Sequence, residues 1–199
     1  MLDTPTGRPR SYELCTNVAG RTLHWRNRNH GVTLRDDSIA WTMDGDTNDV
    51  PFGNIVAVHL DSVGQKVTAD RCTITVADGR GLTIVNTDPG GYADAAQAAA
   101  YRDFVRDLHA RLATGGYGSA IRFTAGGPQW LYLTMLAAAI IGAPLFAAAG
   151  LAGYFVFHLW NGVLLLLAGE YFCWMLGRRA LANRPRDYAA ERLPEALLK

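Results

Sequence analysis

Apolar and polar positions follow two successive patterns along this chain. Between Arg21 and Val85 they alternate in short runs, at residues 22–25, 32–34, 39–43, 55–60, 71–76 and 82–85. In the fifth run Cys72, Ile74 and Val76 share one side and Thr73 and Thr75 the other, the period-two signature of a strand with one buried face. Turn-forming groups separate the runs: Arg28-Asn29-His30-Gly31, Asp36-Asp37-Ser38, Asp44-Gly45-Asp46 and Asp78-Gly79. The set predicts a half-buried antiparallel sheet. Past Asp88-Pro89-Gly90-Gly91 the period lengthens. Tyr101, Phe104, Val105, Leu108 and Leu112 recur at spacings of three and four, with Arg102, Asp103, Arg106 and Asp107 off that stripe, which predicts an amphipathic helix. Strands followed by one helix predict a small α+β domain, a sheet or open barrel closed at one end by the helix.

From Trp130 to Leu176 neither period holds and the run is apolar throughout. As one helix it would extend about 70 Å, more than twice the roughly 30 Å of a bilayer's hydrocarbon core. A reversal at Gly150-Leu151-Ala152-Gly153 divides it into spans at about 130–150 and 154–176, a transmembrane helical hairpin with Pro144 as a kink in the first span. Ala138 and Gly142, Ala139 and Ala143, and Gly162 and Gly169 offer small faces for close helix packing. Trp130, Tyr132 and Trp174 are expected at one membrane face and Tyr154 and Trp160 at the other. Glu170 stands alone in the second span. If Leu176 marks the edge, it lies about 9 Å inside, where a carboxylate needs a partner. Thr134 and Tyr132 are the expected donors on the neighbouring span, and assembly with another subunit, snorkelling and transport chemistry are the other roles such a residue takes. His158 and Asn161, toward the opposite face, are expected to cap the hairpin or make a polar contact with a partner.

The distribution of charge sharpens this division. The chain has 199 residues and a formal net charge of +1, which gives no reason to expect nucleic acid. Between Arg122 and Arg178, tyrosines and Cys173 aside, the only ionisable side chains are His158 and Glu170. Arg106, Arg111 and Arg122 precede the apolar run and Arg178, Arg179, Arg184, Arg186 and Arg192 follow it, so both termini are expected in the cytoplasm. With an alanine-rich composition and no organellar signal, the expectation is a multi-pass protein of a bacterial inner membrane. The opening MLDTPTGRPRSYEL has no apolar run behind it and does not read as a cleavable signal peptide. Cys15, Cys72 and Cys173 lack CxxC spacing and read as small apolar packing residues. The expected organisation is an N-terminal tail at 1–20, a cytoplasmic domain at 21–113, a Gly-rich linker at 114–128, the membrane hairpin at 129–177 and a basic tail at 178–199.

No motif in the chain carries recognisable catalysis. Gly79-Arg80-Gly81 lacks the dinucleotide and P-loop spacings, His24, His30, His59 and His109 have no metal-ligand spacing, and no serine sits in a GxSxG elbow. No cofactor and no metal are expected. The order of short strands and one helix over residues 21–113, with the stretch GVTLRDDSIAWTMDGDTNDVPFGNIVAVHL, resembles the pleckstrin-homology-like (PH-like) domains of bacterial membrane proteins. The resemblance implies a binding or scaffolding module. Arg26, Arg28, His30 and Arg35 lie at the first hairpin, where lipid-binding members are basic, but the lysine-rich motif is missing and Phe104 stands where the helix usually has tryptophan. With Arg178 and Arg179 these arginines form the candidate surface for lipid or a partner. The expected function is a membrane-anchored, cytoplasm-facing, non-enzymatic PH-like module with the bilayer and a protein partner or further copies of itself as associates. The alternative is a small accessory subunit of a transport or respiratory complex, assembled through its hairpin and Glu170.

Overall fold

A computed structural model describes residues 8–18, 31–43, 46–63, 69–87, 94–158 and 160–193. In chain order the described strands are β1 (Arg10–Tyr12), β2 (Cys15–Val18), β3 (Val32–Leu34), β4 (Ser38–Met43), β5 (Asp46–Pro51), β6 (Ile55–Val63), β7 (Ala69–Val76), β8 (Gly81–Val85), β9 (Arg122–Ala125) and β10 (Arg186–Asp187). The helices are α1 (Ala95–Thr114), α2 (Gln129–Phe155) and α3 (Asn161–Ala182). This α+β chain divides into two compact units, one of Met1–Ala125 with Arg186–Lys199, the other of Gly126–Pro185.

In the first unit β1-β3-β4-β5 form one sheet and β10-β9-β6-β7-β8-β2 another. Every described pair is antiparallel except β6 with β9, which run parallel. That pairing needs a long crossover, and β7, β8 and α1 supply it. Strand alternation buries Val58, Leu60, Cys72, Ile74, Leu82 and Ile84, and the whole stripe of α1, from Tyr101 to Leu112, joins the same core. Burying each such large side chain contributes about 1.5–3 kcal/mol before entropy is subtracted. A register irregularity between Ile55 and Ala57 turns Val56 outward.

The segments expected to flank the domain are structured. β1 and β2 lie within the expected N-terminal tail, β9 within the expected linker and β10 within the expected basic tail. Each is too short to show a period. Their anchors are single side chains: Tyr12, Leu14, Phe123 and Ala190 are buried in the core. α1 is therefore not the last element of its unit, because β9 follows it in the six-stranded sheet. β5, whose sequence is DTNDVP, is a polar strand beside β4. The run at 22–25 lies outside the described residues.

In the second unit the expected reversal moves. Gly150 to Gly153 lie inside α2, which runs on to Phe155 before α3 begins at Asn161. The glycines there serve close packing instead. A Cβ on Gly150 would lie 2.6 Å from the Cβ of Leu166, one on Gly162 2.6 Å from the Gly150 carbonyl oxygen, and one on Gly169 2.3 Å from the Phe146 ring. With Gly142 against Cys173 and Gly177 against Ala139, these contacts order α3 antiparallel to α2. Pro144 sits within the α2 interior. At the open end the Gly127 N–H donates to the Asn183 carbonyl at 2.9 Å. Gly126 adopts φ +95°, and a Cβ there would lie 2.4 Å from the Arg184 carbonyl oxygen, so only glycine fits.

Candidate functional site

The contact register sets the level of each polar residue along α2 and α3. Gly169 lies against Phe146, so Glu170 is level with the middle of α2. Thr134 is twelve residues, about 18 Å, from Phe146 along that helix. Its hydroxyl donates to the Trp130 carbonyl at 2.8 Å, within its own helix, and so it is not the partner of Glu170. Tyr132 is displaced by a similar distance. Glu170 is half-buried and has no hydrogen-bond or ion-pair partner among the described residues. The same register separates Trp130 from Trp174: Cys173 is level with Gly142, twelve residues beyond Trp130. They do not form one belt.

His158 and Asn161 sit at the reversal. His158 is exposed with φ 53°, the left-handed conformation that ends the turn, and Asn161 is exposed at the first position of α3. Tyr154 and Trp160 meet edge to face at 5.6 Å at the same end. At the other end Arg178 lies over the Trp174 ring at 4.8 Å, and Arg179 is half-buried one residue on.

Arg26 and Arg28 lie outside the described residues. Arg35, in the turn between β3 and β4, is exposed and ion-paired with Asp49 of β5, and its carbonyl accepts from Arg111 at 2.9 Å. The basic residue that matters more to this unit is Arg111, which is buried. Its Nε donates to Asp107 at 3.0 Å, Nη1 to the carbonyl of Arg35 and to Asp36, and Nη2 to the carbonyl of Arg8 at 3.1 Å. The other oxygen of Asp107 accepts from the Tyr12 hydroxyl at 2.9 Å, and burial, followed by that bond, holds the Tyr12 phenol far above its usual range. Arg111 thus ties α1 to the segment that leads into β1 and to the β3–β4 turn. The Asp107–Arg111 spacing of four on a helix was the available signal for this hub.

Two histidines read as structural have defined partners. His109 Nδ1 lies 2.7 Å from the Val105 carbonyl, which can only accept, so the neutral ring takes the hydroxyl proton of Tyr188 at Nε2, 2.9 Å away. Tyr188 stacks on the ring at 5.7 Å and Phe123 flanks it. Burial lowers the His109 pKa to about 4. On the six-stranded sheet His59 Nδ1 pairs with the Thr124 hydroxyl at 2.8 Å, and its Nε2 is 3.9 Å from Asp61. Hydroxyl, imidazole and carboxylate stand in a row, but 3.9 Å is no hydrogen bond, and Arg71 holds both oxygens of Asp61. In this geometry Asp61 does not orient the ring.

Cys15, Cys72 and Cys173 are buried and unbridged, and burial pushes the Cys72 thiol up to about 12. Among the described residues no three His, Cys, Asp or Glu side chains come close enough to hold a metal ion. By length and composition one helix among the described residues, α2, is apolar enough to cross a membrane. α3 is more polar because it begins only at Asn161 and contains Asn161, Glu170, Arg178 and Arg179. No protein-family model matches this chain, and no curated protein matches it either, so its geometry alone carries the functional reading.

Proposed function

We propose that the chain is a membrane-anchored module in which α2 and α3 cross the bilayer as a hairpin. The other unit is a PH-like domain facing the cytoplasm, which binds a partner protein or the bilayer surface through its sheet edges and loops, without catalysis. One observation carries the membrane reading: of the 19 large apolar side chains that are exposed among the described residues, all but Val56 lie between Trp130 and Leu181. A soluble surface rarely gathers them so. α2 is about 40 Å long and α3 about 33 Å, each enough to span hydrocarbon, and an antiparallel α3 returns the chain to the side it left. Arg178, Arg179 and Arg184 at the open end put that side in the cytoplasm, in a bacterial cell the inner face of the cell membrane. The PH-like reading is supported by the two sheets and α1 sharing one core, with Phe104 inside it.

Cysteine labelling of the full-length protein in sealed membranes tests the topology. Phe157→Cys is expected to react only from outside and Arg184→Cys only from the cytoplasm; reaction of both from one side rejects the hairpin. The accessory-subunit reading is favoured by the unpartnered Glu170. Crosslinking in native membranes distinguishes the two by whether the attached protein is held by the helices or by the other unit.

A further inference from the structure

We propose that two copies of this chain associate in the bilayer along a second seam of α3, with the Glu170 carboxyls paired at the centre. The proposal rests on the membrane reading and adds the identity of the partner.

Depth comes first. The contact of Gly177 with Ala139 places Arg178 level with about Ala138. From Ala138 to the turn is roughly twenty residues, about 30 Å, the thickness of the hydrocarbon core. Glu170, eight residues from Arg178, then lies about 12 Å inside, close to the bilayer midplane. A carboxyl at that depth is costly when nothing meets it, and nothing among the described residues does.

The second observation is a spacing. Gly162, Leu166, Gly169 and Cys173 recur at intervals of four, three and four, and this seam is filled by α2. Val163, Leu167, Glu170 and Trp174 repeat the same intervals one residue on. Leu167 is 59% exposed and Trp174 55%, while Val163 and Glu170 are half-buried. A 4-3-4 repeat is the pattern that packs helices knobs into holes, and a single polar residue in it fixes register. A second copy in the same orientation, related by a two-fold axis along the membrane normal, brings Glu170 to an identical depth and to itself. A carboxyl group offers one O–H donor and one carbonyl acceptor. Two such groups satisfy each other with no charge left over.

The test uses full-length protein reconstituted into phosphatidylcholine and phosphatidylglycerol vesicles at low density. Subunit counting by single-molecule photobleaching is expected to show dimers, with Glu170→Gln within about threefold of wild type and Glu170→Leu weakened about tenfold. Oxidation is expected to crosslink Leu167→Cys between copies and to leave Ile140→Cys, on the other helix, unlinked. Monomers in the bilayer, dimers untouched by Glu170→Leu, equal crosslinking at both sites, or Leu167→Cys linked only to a different protein each overturn the proposal and leave the membrane reading standing. A chain that stays dissolved without detergent overturns both.

Discussion

At the scale of single residues, the first unit depends on two buried polar groups whose partners are far apart in sequence. Arg111 meets Asp107 within its helix, but its other donors go to backbone carbonyls of Arg8 and Arg35. Replacing it with methionine keeps the bulk and leaves one oxygen of Asp107 and two carbonyls unmet. The expected loss is about 3–5 kcal/mol, read by denaturant unfolding in detergent. His109 predicts an acid sensitivity. Its pKa is 6.5 in an unperturbed chain and about 4 when folded, so between those values the unfolded chain binds a proton that the folded one refuses. Stability is therefore full above pH 6.5 and falls as the pH drops toward 4, by about 3 kcal/mol over the window. A His109→Phe variant keeps the stacking with Tyr188 and Phe123 and is expected to flatten the unfolding midpoint between pH 6.5 and 4. An unchanged slope would place the titration elsewhere. Neither dependence could be read from the sequence, because Tyr188, Arg8 and Arg35 become partners only through tertiary contacts, although Val105 lies one turn before His109 on α1.

At the scale of elements, the helix stripe and the strands with clear alternation were legible because a buried face repeats at a fixed period. β3 begins and ends as its alternation predicts, and all five stripe residues of α1 are buried. β9 and β10, four and two residues long, carry no period, and β5 is polar and hid behind its turn residues. Gly150 and Gly153 misled for a different reason: glycine marks turns and close helix contacts alike, and here the contacts win. The consequence can be tested. Gly162→Leu places a side chain where a Cβ alone would lie 2.6 Å from the Gly150 carbonyl, so α3 is expected to separate from α2, read as lost crosslinking between Gly142→Cys and native Cys173. Truncation after Ala113 removes Phe123, Ala125 and Ala190 from the core, and the remaining fragment is expected to show no cooperative unfolding transition.

At the scale of the molecule, the charge-poor stretch and the exposed apolar side chains coincide, and a prediction follows for the chain as a whole. After alkaline carbonate washing it should stay with the membrane pellet, and a variant carrying aspartate at Ile140, Leu145 and Leu164 should lose that retention while its first unit keeps its fold. The division into two units was visible in the sequence, but its seam was not. The seam lies where Ala125 stands opposite Arg186 as a paired residue of β9 and β10. Those two positions are related as the ends of a two-residue β-turn are, so the sixty residues between them behave as an insertion into a ribbon that is otherwise ready to close. Exchanging that insertion for Asn-Gly should release a water-soluble globule with both sheets intact, purified from the cytosol without surfactant.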